Sequence, residues 1–219
     1  MDCFFDLIAA GKVKIRIMFR QNTIQPRYLT PDHHEQKFFI LYYLFLKKGF
    51  GLDCSPVVRG GVRVRIYPDQ IPDTKAKLDR FRNFLARLSN RPEFRERNIR
   101  VAKEDITDVI SHDHVILQCL DIVLGAMHFK LNDLQKKRVP GKVHREKRTR
   151  EKDKLYKLIN FRIRQIYSNF NIGVSTARRE NDSRWTDEYR HWILMPRASN
   201  RIVIPGSKHK KRKKVTEAP

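Results

Sequence analysis

Residues 111–133, SHDHVILQCLDIVLGAMHFKLND, constrain the fold of this chain more than any other stretch. Apolar side chains run nearly all the way round a helix here: Val115, Ile116, Leu117, Leu120, Ile122, Val123, Leu124, Ala126 and Met127. Residues three and four apart share a helix face. His114, Gln118, Asp121, Gly125 and His128 therefore fall on one stripe. A helix this apolar belongs in an interior, so other layers must cover it, and its polar stripe faces either solvent or a site. A surface helix reads differently: DTKAKLDRFRNFLARL turns Lys75, Lys77, Arg80, Arg82 and Arg87 outward, whereas the 111–133 stripe has no Lys or Arg until its end. Gly125 reads as a point of close approach.

The covering layers are legible upstream. Residues 2–10 read as a short helix closed by Gly11. In KVKIRIMF (12–19), Val13, Ile15 and Ile17 alternate with Lys14 and Arg16, the pattern of a strand with one covered face. TPDHHEQKFFILYYLFLKKG carries helix punctuation: Thr30 as cap, Pro31 in the first turn, Asp32 and Glu35 at capping-box spacing, and Lys47 and Lys48 before Gly49. Its run FFILYYLFL (38–46) falls short of the roughly 20 residues of a membrane span and reads as a buried helix segment. GVRVRIYPDQ (61–70) is a second alternating strand, stopped by Pro68, with Asp69 at its carboxyl end. Asp73 is the expected cap of a helix over 74–89 with an apolar stripe of Leu78, Phe81, Leu85 and Leu88. Short strands near 99–102 and 107–110 precede the 113–131 helix. Alternating strands and helices predict an α/β domain with a largely parallel sheet.

Composition shifts near residue 132. KKRVPGKVHREKRTREKDK (136–154) reads as a solvated basic linker. KLYKLINFRIRQIYSNF is helical again, with Leu155, Leu158, Ile159, Ile163 and Ile166 at helical spacing. RWTDEYRHWILMPR mixes Trp185, Tyr189, His191 and Trp192 with Arg184, Arg190 and Arg197; its aromatics either pack in a core or stack on bases. The expected organisation is an α/β domain over 1–133, a linker over 134–153, a basic α+β extension with helix and strands over 154–200, and a basic tail over 201–219 whose composition is that of disorder.

Lys and Arg total 47 against 24 Asp and Glu, a formal charge of +23. Such an excess calls for a polyanion partner, nucleic acid before an anionic membrane surface. Lys136, Lys137, Arg138, Arg145, Lys147, Arg148, Lys210, Lys211 and Arg212 are the expected phosphate contacts, which bind without reading sequence. Cys3, Cys54 and Cys119 are scattered and form no CxxC pair, which points away from a zinc ribbon or disulfide framework and toward a reducing compartment. The opening MDCFFDLIAAG lacks the basic start of a signal peptide. A cytoplasmic location without membrane association is expected.

Open α/β sheets bind ligands at the carboxyl ends of their strands. Asp69 lies at such an end, and Asp121 lies on a helix that must pack on the sheet. Two carboxylates so placed suit a hard divalent cation serving phosphoryl transfer. For Asp69 a turn or capping role is the competing reading. His33, His34, His112, His114 and His128 show no HxxxH or HExxH spacing for a transition metal, and Cys119 and His114 face apart on the helix.

SHDHVILQCLDIVLGA resembles the S…LQ..D…G segment of the domain-of-unknown-function family 3800, and VRVRIYPDQ followed by a basic helix resembles that family's middle strand and helix. The resemblance covers residues 1–133 and extends less specifically to 197. It implies a ribonuclease H-like mixed sheet flanked by helices and a metal-dependent nuclease activity with Mg²⁺ or Mn²⁺ as cofactor. Carried over, Asp69 and Asp121 are the catalytic metal carboxylates, with Gln118 beside them. Ser111, Asp113 and His114 line the site, and Glu35 is a further candidate ligand. Members of the family open with a strand bearing an Asp-Glu-Ser type motif, whereas MDCFFDLIAAG matches the middle of the pattern. The resemblance thus implies an N-terminally truncated domain, weak or inactive as a nuclease. The alternative function is a basic nucleic-acid-binding protein without catalysis.

Overall fold

A computed structural model describes residues 1–20, 24–26, 30–31, 36–69, 74–134, 146–176, 183–195 and 199–201. Helix α1 (Asp2–Ala9) buries Phe4, Phe5 and Ile8 and ends where Gly11 takes a left-handed φ of 68°, which lets the Lys12 amide return to the Leu7 carbonyl at 2.9 Å. Strand β1 (Ile15–Phe19) and the short β2 (Ile24–Pro26) follow. Next come α2 (Lys37–Lys48), β3 (Val62–Arg63) and α3 (Lys75–Ala86). After the one-turn α4 (Pro92–Arg95) and β4 (Ile99–Arg100) comes the long α5 (Val115–Leu131). The chain continues through α6 (Lys147–Ile166), the one-turn α7 (Ser183–Thr186), β5 (Tyr189–Ile193) and β6 (Ser199–Arg201). The capping box at Asp32 and Glu35 lies outside the described residues, as does Asp73; Thr74 is the cap of α3, its hydroxyl accepting from the Lys77 amide at 3.4 Å.

The architecture is mixed α/β, and its strands pair two by two among the described residues. β1 lies parallel to β5 from Ile15↔Tyr189 to Phe19↔Ile193, and β2 lies antiparallel to β6. β3 is parallel to β4 and the pairing resumes at Ile66↔Ile106 and Asp69↔Val109, after the turn Lys103–Asp105 has looped out of the ladder. A pairing largely parallel in hand is as expected, but the strands do not join into one sheet among the described residues.

Two hydrophobic cores result. The first gathers α1, β1, β5, α5 and α6: Phe5, Ile8, Val123, Ile159, Ile163, Phe170 and Tyr189 are each at most 1% exposed. Burying one such aliphatic side chain contributes about 1.5–3 kcal/mol. The second gathers α2, α3 and the β3–β4 pair around Phe81, Leu85, Leu88, Phe94 and Ile106. Gly51, at φ 68°, joins them: a Cβ there would meet the Arg184 carbonyl carbon at 2.4 Å, so only glycine lets α7 come this close.

Four expectations change. Helix α5 is not buried all round: Val123, Ala126, Met127 and Phe129 are buried, while Val115, Ile116, Ile122 and Leu124 are exposed, because its described packing partners, α6 foremost, cover one side. The 38–46 run is half-buried for the same reason, with only Leu46 fully inside. The expected linker over 134–153 gives its last seven residues to α6, where Lys and Glu favour helix and Lys157 reaches the buried Asp153 at 3.4 Å. Finally, β1 is covered on both faces: Arg16, expected outside, is 7% exposed, since β5 and the 184–188 turn close over it.

Candidate functional site

The carboxyl end of the broken parallel ladder brings several expected site residues together. Asp69, in the last bridge of the ladder opposite Val109, has an exposed carboxylate whose Oδ1 accepts the Ser111 amide at 3.1 Å. That bond ties the strand end to the tight turn Ser111–Asp113, which leads directly into α5. Gln118, one turn into α5, donates through Nε2 to the His112 carbonyl at 2.6 Å. Gln118, on the polar stripe of α5, is thereby bonded back to the turn that Asp69 holds. Burial, and after it the Asp69 carboxylate, raises the pKa of the Tyr42 hydroxyl, so α2 also borders this edge.

Asp121 follows Gln118 on the same stripe. It is exposed and makes no hydrogen bond or ion pair with the described residues. Asp113 and His114 are also exposed. Gly125 has open space where a Cβ would stand, so no described group approaches it closely. Glu35, Lys136, Lys137, Arg138, Arg145, Lys210, Lys211 and Arg212 lie outside the described residues; Lys147 and Arg148 are exposed in the first turn of α6. Among the described residues no three His, Cys, Asp or Glu side chains gather to hold a metal ion. The donors that are present, two carboxylates, are of the type Mg²⁺ takes when substrate phosphates and water complete its shell. Asp69 is tied to Ser111, whereas Asp121 makes no hydrogen bond or ion pair with the described residues.

A second constellation escapes sequence reading. A cavity of about 330 Å³ is lined by Arg16, Lys48, Arg184, Arg190, Ser175 and Trp192, among others. Arg16 and Arg190 are register partners in the β1–β5 pair and are 7% and 9% exposed. Arg16 donates to main-chain carbonyls, Arg184 at 3.0 Å and Asp187 at 2.6 Å among them. Arg190 pairs with Asp187 at 2.8 Å, and Arg184 with Asp53 at 2.8 Å. Burial, then the charge of Arg190, lowers the Arg16 pKa to about 10, against the pull of Asp187 and Glu188. The signal that could have exposed this site is the shared apolar-Arg-apolar pattern of IRI in β1 with the YRH of β5; it becomes informative only once the two strands, far apart in sequence, are known to pair.

The aromatics of 184–197 divide. Tyr189 is a core residue, and burial pushes its phenol pKa far up. Trp185 receives the Lys14 ammonium 4.6 Å from its ring centroid, a cation–π contact. Trp192 stays half-buried at the cavity wall. No described helix is long and apolar enough to cross a membrane.

No protein-family model matches the chain, and no curated protein or solved structure matches it significantly.

Proposed function

We propose that this chain is a ribonuclease H-like protein of the family-3800 kind that acts on nucleic acid, with Asp69 and Asp121 as the carboxylates of its site. One observation carries the reading: the Asp69 carboxylate holds the turn that opens α5, and Gln118, which shares a helix stripe with Asp121, bonds back to that turn. A strand-end carboxylate and a helix carboxylate would then border one edge, at the end of a parallel ladder where open α/β folds bind their ligands. Asp69 and Asp121 would hold Mg²⁺ or Mn²⁺. Such an ion polarises a phosphoryl oxygen and lowers the pKa of a bound water. Gln118 positions the turn rather than reacting, since its amide is already committed to a carbonyl.

The cationic surface suits the substrate. The formal charge of +23 attracts a polyanion. Lys147 and Arg148 stand in the first turn of α6, where the helix dipole disfavours cations, and nucleic-acid phosphates would relieve that. The second reading is nucleic-acid binding without cleavage; the observation in its favour is that the described carboxylates of the site number two and that they form no metal-holding group.

One experiment separates the readings. Labelled single- and double-stranded DNA and RNA are incubated with the chain in Mg²⁺, in Mn²⁺ and in a chelator, beside Asp121→Asn. The expected outcome is weak cleavage that needs the metal and is lost in Asp121→Asn, with stability moving by less than about 0.5 kcal/mol, as for exposed sites in general. Binding in chelator without cleavage under any metal establishes the second reading. Cleavage retained by a folded Asp121→Asn protein removes Asp121 from the site.

A further inference from the structure

The cavity between the first core and α2 has a charge arrangement that the fold itself does not explain. In a ladder, residues in register point to the same face, and like charges set opposite each other are destabilising. Arg16 and Arg190 are such a pair, and both are more than nine-tenths buried. Burying two cations side by side costs free energy unless anions compensate. Compensation is incomplete: Asp187 and Glu188 lie near enough to favour the Arg16 charge, but neither carboxylate pairs with it. Asp187 takes Arg190, and Asp53 takes Arg184. Arg16 has only main-chain carbonyls as acceptors, and Lys48, exposed at the end of α2, makes no ion pair with the described residues. The Nε–H groups of Arg16 and Arg184 are buried with no acceptor at all, which natural interiors rarely leave so.

We propose that this cavity binds a phosphate monoester: the terminal phosphate of a free nucleotide or of a nucleic-acid strand end. Two cations without a carboxylate partner, Arg16 and Lys48, match the charge of a dianion better than that of a single backbone diester. Guanidinium forks bind phosphate with directed, charge-assisted hydrogen bonds. Ser175 adds a hydroxyl that already accepts the Ile193 amide at 2.9 Å, leaving its own proton to donate. The volume of about 330 Å³ is at the small end of ligand pockets and excludes a duplex. Trp192 and Phe45 give the cavity an apolar wall on which a base can stack. The proposal does not rest on the nuclease reading, because it uses none of the carboxylate edge.

The test uses the full chain in chelator, so that the carboxylate edge holds no metal. Inorganic phosphate, adenosine, adenosine 5′-monophosphate, and one short single-stranded oligonucleotide with and without a 5′-phosphate are titrated by calorimetry and by tryptophan fluorescence. Saturable binding of the monophosphate but not of adenosine is expected. Lys48→Ala, at an exposed position that the fold does not need, should weaken it on the order of ten-fold, the size of one lost hydrogen bond to a charged group. Arg16→Gln should abolish it, with circular dichroism checking the fold. If only the 5′-phosphorylated oligonucleotide binds through Lys48, the source is a strand end; if the free monophosphate binds as well, it is a nucleotide. The proposal is overturned if neither phosphate-bearing probe binds the folded chain, if Lys48→Ala leaves their affinity unchanged, or if the oligonucleotide binds equally with and without its 5′-phosphate.

Discussion

The two cores of this molecule are built from different materials. The second is almost purely a matter of shape: Phe81 is fully buried with the rings of Phe38, Phe39 and Tyr42 around it at centroid distances of 6.0, 5.2 and 5.3 Å. Its one buried charge among the described residues, Asp105, is answered by Arg63 at 2.5 Å. The first core has an apolar centre too, but buried polar groups border it along β1 and β5: Arg16, Arg190, His191 and Thr176. Shape-based packing of this kind leaves few buried polar groups to be satisfied. A core edged with buried cations holds unfinished electrostatics, which is why the further site is placed there, whereas the carboxylate edge belongs to the exposed rim of the other.

The largest expected effect tests whether the two cores are one cooperative unit. Phe81→Ala removes the ring at the centre of the aromatic cluster and should cost about 3–5 kcal/mol. Both tryptophans, Trp185 and Trp192, report on the neighbourhood of the first core, while circular dichroism reports on all helices. The Arg184–Asp53 pair and the Gly51 contact tie the cores together. Tryptophan fluorescence and ellipticity should therefore shift to the same lower urea midpoint. A fluorescence midpoint that stays put while the helical signal moves would divide the chain into two independently unfolding parts.

A smaller effect belongs to the first core alone. His191 is buried, and burial lowers its pKa, against the hydrogen bonds to the Val174 and Asn171 carbonyls and with some help from Arg190. The neutral ring is the form the fold accepts. Above the ordinary histidine value of about 6.5 both folded and unfolded chains hold it neutral, and it makes no pH-dependent contribution. Below that value the unfolded chain takes up a proton that the folded chain resists, so stability falls as pH falls. One group contributes at most about 1.4 kcal/mol per pH unit. Urea melts between pH 7 and 5 should show this slope, and His191→Gln should flatten it; an unchanged slope would assign acid sensitivity to carboxylates instead.

The sequence announced its elements better than their company. The alternation in KVKIRIMF and VRVRIYPDQ located β1 and the β3 ladder, and the stripe of Phe81, Leu85 and Leu88 located the core face of α3, because these signals are local and periodic. Asp69 at a strand end was legible for the same reason. What stayed hidden is long-range. Nothing near Arg16 marks it as buried, since its cover comes from β5 and the 184–188 turn, more than 160 residues on. The basic composition of 147–153 masked a helix whose inner side carries Asp153 and Tyr156. Hydrophobicity also misled: α5 is the more apolar of the two long helices, yet α6, with its charged residues, buries its stripe as cleanly.

The smallest effect concerns the outward stripe of α5, where sequence reading and structure disagree. Glycine inside a helix costs about 0.8–1.0 kcal/mol relative to alanine, through the backbone freedom it surrenders. A structural reason to keep it would be a group packed against its Cα, and the sequence suggested one at Gly125. Among the described residues there is none: a Cβ at this position meets nothing within 4 Å, and the residue is exposed. Gly125→Ala should therefore stabilise the chain, by up to about 1 kcal/mol. The same substitution reports on the face shared with Asp121, because residues four apart are neighbours on a helix. If nucleic acid seats on that stripe, the added methyl should weaken binding or cleavage while the melting temperature rises. A rise in stability with unchanged activity would leave the stripe as plain solvent-facing surface. A loss of stability would mean that some group packs on Gly125 after all.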